Sequence, residues 1–155
     1  MPNKIATNTR NMLYLKLVAL LKTITHANGY NTQPRICDDQ EEADSAQEQH
    51  TVWVKVADEA MDDSTLGGHW HCVCDFVVFG LVRQDESDLT TDTNALLQDI
   101  RTVITAYRAS FPTTCNGASM AGFDTCETDQ GALASAGKSF FVQPVAFEYV
   151  AGPTW

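Results

Sequence analysis

Residues 69–83 read HWHCVCDFVVFGLVR. In an extended chain, side chains alternate between two faces. The even positions are Trp70, Cys72, Cys74, Phe76, Val78, Gly80 and Val82, an unbroken apolar set. The odd positions are His69, His71, Val73, Asp75, Val77, Phe79, Leu81 and Arg83, polar at both ends. One wholly apolar face predicts a long strand with its even side on the core. Gly80 predicts a bulge or a close backbone approach. Two histidines and two cysteines between His69 and Cys74 raise the question of zinc. Zinc needs ligands converging tetrahedrally at about 2.0–2.3 Å. On a strand His69 and His71 share one face, and Cys72 and Cys74 share the other. Two of them would have to join Cys37, Cys115 or Cys126, and no C-x-x-C knuckle is present. The expectation is that Cys72 and Cys74 act as small core hydrophobes, with no metal or cofactor.

Working outward, Thr51–Asp58 (TVWVKVAD) puts Val52, Val54 and Val56 on one side and Trp53 and Lys55 on the other. That predicts a second strand with one buried face. Glu59–Gly68 (EAMDDSTLGG) reads as a turn. Ser139–Val150 (SFFVQPVAFEYV) predicts a third strand, placed at an edge or bulged because Pro144 lacks an N–H. In Thr9–His26, Leu13, Leu17, Leu20, Leu21 and Ile24 make one helical stripe. Asn28-Gly29 supplies its stop. In Thr91–Ala109, Leu96, Ile100, Val103, Ile104 and Tyr107 repeat the same spacing. Thr90 or Thr91 is the expected N-cap, Asp92 and Asp99 lie toward the positive end, and Arg101 and Arg108 lie toward the negative end. Residues 113–138 read as a long loop or arm with room for a short strand at Ser119–Phe123, and 151–155 as a free tail. The pattern predicts one α+β domain over residues 1–155, a mainly antiparallel sheet with two amphipathic helices on one face.

Composition narrows the function classes. The chain has 155 residues, 44% hydrophobic and 19% charged, with a formal net charge of -10. That balance speaks against tight phosphate binding, which needs clustered lysine and arginine. Asp38–Glu48 (DDQEEADSAQE) holds six acids and no base, expected to form a solvated, mobile loop or a surface that repels polyanions. Five scattered cysteines and no leader pattern predict free thiols and folding in a reducing cytoplasm. No apolar run reaches bilayer length. The phosphate-loop, dinucleotide, nucleophile-elbow and H-E-x-x-H patterns are absent. A Cys/His nucleophile pair would be visible only in the fold. No enzymatic activity is expected.

Three words carry a resemblance. An amphipathic helix closes in Asn28-Gly29-Tyr30, VWVKVADE follows an acidic loop, and FGLVRQDESD runs into ALLQDIRTVI. This layout, over residues 10–110 and the last strand, resembles the tail terminator, or tail-completion, proteins of long-tailed bacteriophages. The resemblance implies a virion protein without catalytic residues. It implies a homo-oligomeric ring, generally of six copies, that caps the tail tube and offers a surface to the head connector. The implied partners are other copies of the chain, the tail-tube protein and the connector, with DNA only in transit and no membrane. Candidate interface residues are Met12, Leu15 and Val18 off the helical stripe, Trp53, Val77 and Phe79 on the second sheet face, and Trp155. Asp38, Asp39, Glu41, Glu42, Asp44 and Glu48 are candidates for an acidic lumen or rim. Two alternatives stay open: another neck, head-completion or tail-tube protein, and a small metal-dependent enzyme or sensor built on His69, His71 and the cysteines.

Overall fold

A computed structural model of the chain describes residues 8–62, 70–129 and 137–151. Its layering follows from the alternation in β3 (Trp70–Arg83). Cys72, Cys74, Phe76, Val78 and Val82 are each fully buried on one face. Strand β3 is paired antiparallel on both sides, with β2 (His50–Asp62) and β6 (Lys138–Ala151). The remaining strands are β1 (Arg35–Ile36), β4 (Ser119–Phe123) and β5 (Glu127–Asp129). The sheet order is β1-β2-β3-β6-β4, with β5 also on β6. Among the described residues only the β1–β2 pair is parallel. This is the mixed α+β architecture expected, with a mostly antiparallel sheet.

The helices seal the even face of β3. Helix α1 (Thr9–Lys22) is N-capped by the Asn8 side chain, which accepts from Asn11 N–H. Its predicted stripe, Leu13, Leu17, Leu20, Leu21 and Ile24, is buried throughout. The helix ends at Lys22 rather than His26, and His26–Asn28 form a separate 3-10 turn. Gly29 closes that turn at φ 88°, where a side chain would be strained. Helix α3 (Glu86–Ala106) starts before the predicted Thr91, because Leu89 extends the buried stripe by a turn toward the N-terminus. Its N-cap is Asp85, which makes no side-chain cap bond, rather than Thr90 or Thr91. Tyr107 falls beyond the helix and is 47% exposed, so it leaves the stripe.

Four other expectations are corrected by pairing partners that the sequence does not display. The segment from Glu59 to Asp62 continues β2 rather than turning, since the β3 ladder runs to His71 opposite Asp62. A bulge at Ala57 shifts the register between Val56 and Asp58. Strand β6 is interior, not an edge. Its Pro144 is tolerated because the Pro144 carbonyl accepts from Asp124 N–H. An antiparallel residue sends its N–H and C=O to the same side, so the missing donor faces the gap between β4 and β5. The described part of 113–138 is not a structureless arm. It holds the end of helix α4 (Phe111–Thr114), the strand anticipated at Ser119–Phe123, and β5. The acidic block is no mobile loop, for it contains helix α2 (Gln40–Ser45).

Helix α2 sits on the opposite sheet face, where a second, smaller core forms. Trp53, Leu81, Cys37 and Ala43 are buried there with Phe79 and Phe140 against them. The Trp53 and Phe79 rings stack at 5.2 Å between centroids, and Phe140 lies 6.0 Å from Trp53. In the main core Gly80 pairs with Phe141, and a Cβ at Gly80 would overlap the Phe141 ring. The expected close approach is therefore real. Gly80→Ala should cost about 1–3 kcal/mol by overpacking. Trimming the ring in Gly80→Ala/Phe141→Leu should recover part of that loss in denaturant melts, which a cost arising only from backbone conformation would not.

Candidate functional site

The His/Cys strand is the first candidate, and its geometry separates the two residue types. Cys72 and Cys74 are inaccessible on the helix-facing side, while His71 is half-buried on the other. His69 lies outside the described residues. Burial, followed by the Glu59 carboxylate, pushes the Cys74 thiol up to about 12. Burial also raises the thiols of Cys37 and Cys115. A protonated thiol is a poor nucleophile and a poor ligand. Among the described residues no group of three or more His, Cys, Asp or Glu side chains is placed to hold a metal. All five cysteines are free.

The polar residues that the fold does bring together act as ties. After the Ala57 bulge, Glu59 lies opposite Cys74 on the helix side of the sheet. There it accepts the Tyr149 hydroxyl and a 3.0 Å bond from Arg10 on α1. Burial and then Glu59 hold the Tyr149 phenol well above its ordinary range. Asp99, 3% exposed, accepts from Thr32 N–H at 2.8 Å, Thr32 Oγ1 at 2.7 Å and Asn31 Nδ2 at 3.1 Å. It therefore docks the loop after α1 onto the middle of α3 rather than serving the helix dipole. Buried Gln143 accepts from Arg101 Nε at 2.9 Å and Nη2 at 2.7 Å, and donates to the Asp124 and Pro144 carbonyls. Lys16 Nζ donates to Ser110 Oγ at 2.6 Å and to Thr114 Oγ1, and lies 4.6 Å from the Phe111 ring centroid. Both hydroxyls donate to backbone carbonyls, so neither is poised as a nucleophile. At the start of β2, His50 Nε2 comes within 2.9 Å of Asp92 Oδ2 without pointing along a hydrogen bond.

The acidic block is organised by two arginines. Asp39 caps α2, accepting from Glu42 N–H at 2.9 Å, and Glu42 reaches back to Asp38 N–H at 2.7 Å. Arg35 pairs with Glu42 and Glu48. Arg83 donates to the carbonyls of Ala43, Asp44 and Glu48, closing the end of α2. Asp38, Glu41 and Asp44 remain exposed.

The candidate interface residues separate on exposure. Leu15 is 51% exposed at the outer side of α1. Met12 and Val18 are partly buried against the main core. Trp53 at 1% and Val77 at 9% are internal, and Phe79 is committed to the second core, so none of the three stands on a free surface of the subunit. Trp155 lies outside the described residues. Three large apolar side chains outside the candidate interface set are exposed, Trp70, Tyr107 and Val150, so Trp70 leaves the buried even face on which its position in the strand had placed it. Trp70 and Val150 lie at the same end of the β3–β6 ladder. No helix among the described residues is long and apolar enough to cross a membrane. No protein-family model matches the chain, and no curated protein matches it.

The raised Cys74 and Tyr149 groups give a sign for alkaline stability. A group whose folded value lies above its unfolded one binds a proton that the unfolded chain has released. Its stabilisation is complete below the unfolded value and is lost as pH climbs toward the folded one. For Cys74 that window runs from 9.0 to about 12. Urea melts between pH 8 and 11 should show stability falling above pH 9. Cys74→Ala should reduce that slope by up to about 1.4 kcal/mol per pH unit. An unchanged slope would mean that the thiol is open to solvent.

Proposed function

We propose that this chain is a structural virion subunit of the tail-terminator type, forming a ring that caps a phage tail tube, ends tube growth and receives the head connector. The layout of helix, two long strands, helix and returning strand supports the reading. The observation that carries it is the division of labour among side chains. The buried polar groups Asp99, Gln143 and Arg101's partner network hold elements together, while Leu15 stays exposed mid-helix opposite a sealed core. A subunit in a closed ring needs lateral surfaces for its neighbours and axial surfaces for what lies above and below. Leu15 and Tyr107 are available on the helix side, and Trp70 and Val150 at one end of the β3–β6 ladder suit an axial partner, the tube or the connector. The outward acids Asp38, Glu41 and Asp44 suit a channel wall that DNA passes without adhering.

Light scattering of the eluted protein with negative-stain imaging tests this. The expected result is a ring of about six copies. Asp38→Asn/Glu41→Gln/Asp44→Asn should leave the ring mass unchanged while altering DNA retention in assembled particles. A chain that stays monomeric, or one that carries stoichiometric zinc or iron by elemental analysis, contradicts the proposal.

A further inference from the structure

The charges of this acidic protein are segregated along the chain. Residues 1–37 carry five bases, Lys4, Arg10, Lys16, Lys22 and Arg35, and no acid. Residues 38–99 carry sixteen acids and two bases, Lys55 and Arg83. Residues 100–123 again hold only bases, Arg101 and Arg108. The fold turns this into a spatial separation. Helix α3 has 21 residues, hence a length of about 30 Å at 1.5 Å each. Asp85 and Asp88 are exposed at its start, and Arg108 lies just beyond its end. Lys16 ties α1 to the turn beyond α3 through Ser110 and Thr114. The acid-free outer side of α1 leaves Leu15, Ala19 and Lys22 exposed, and Tyr107 and Arg108 are exposed beside the turn that Lys16 ties to α1.

Two of the cations are neutralised within the subunit. Arg10 pairs with Glu59, and Arg35 with Glu42 and Glu48. Among the described residues Arg108 and Lys16 are not. Arg108 donates to the Met120 carbonyl and Lys16 to two hydroxyls, all neutral acceptors. In a chain of net charge -10, a patch of uncompensated base around exposed Leu15 and Tyr107 has an acidic counterpart at the other end of α3.

We propose that the outer side of α1 with Tyr107 and Arg108 is a docking surface for a second copy of this chain, which presents its Asp85–Asp88 end. The contact is head-to-tail. It joins two different surfaces, so it propagates and can close, and it supplies the lateral contact of the ring reading above, on which it rests. Complementary charge sets the register, and Leu15 and Tyr107 supply apolar area at its centre.

Charge exchange tests the assignment. Lys22→Glu/Arg108→Glu reverses one side, and Asp85→Lys/Asp88→Lys the other; all four positions are exposed, and circular dichroism melts verify folding. Each variant alone should elute as a monomer at a concentration where the native sequence is a ring. An equimolar mixture should regain the ring mass, because each reversed surface then meets its reversed counterpart. Leu15→Glu should lower the mass without being rescued by either variant. Variants that keep the ring mass, or a mixture that stays monomeric, overturn the docking surface and leave the ring standing. A native chain that is itself monomeric overturns both.

Discussion

A β-strand paired on both sides cannot turn about its axis, and strand β3 is paired along its whole length with β6 and from His71 to Val82 with β2. Each of its side chains is thereby committed to one face. It can offer the helices its thiols or its imidazole, and the apolar even set wins because burying Phe76, Val78 and Val82 outweighs any gain from burying His71 and Asp75. The position of α1 and α3, the exclusion of Cys72 and Cys74 from water, and the outward display of His71 all follow. The same commitment places Trp53, Phe79 and Phe140 on the opposite face, where α2 covers them.

Polar residues inside this frame are expensive to bury and are engaged accordingly. Asp99 meets three donors, and Gln143 uses both ends of its amide. Such groups fix the loop after α1 and the break between β4 and β5, where backbone partners run out. Breaking one side of such a tie leaves the other desolvated, which is why these contacts specify one arrangement rather than merely add to stability.

The layering was legible in the sequence where periodicity was strong. The stripe of α1, the even face of β3 and the close approach at Gly80 follow from spacing alone, since burial and period are local properties. The misread elements depend on partners distant in the chain. Glu59 to Asp62 look like a turn until β3 pairs with them. Pro144 looks like an edge residue until the gap opposite it is known. Tyr107 fits the spacing of a helix that has already ended. Some signals were present but unused. Asp39 three residues before Glu42 is the spacing of a capped helix, and Asp99 inside an apolar stripe marks a buried carboxylate that must have donors. The exposed candidates Trp70 and Val150 were hidden because strand alternation does not tell which residues lie where the sheet outruns its cover.

Thiol reactivity in the native protein probes the direction of β3 most directly. With a neutral disulfide reagent at pH 8, inward thiols predict rapid labelling at Cys126 alone, the one half-buried cysteine of five, and labelling of Cys37, Cys72, Cys74 and Cys115 only on unfolding. Mass mapping assigns each site. Rapid modification of Cys72 or Cys74 in the folded chain, or their protection lifted by a chelator, would mean that β3 turns its thiols toward solvent or an ion, and a helix-sealed scaffold would no longer describe the molecule.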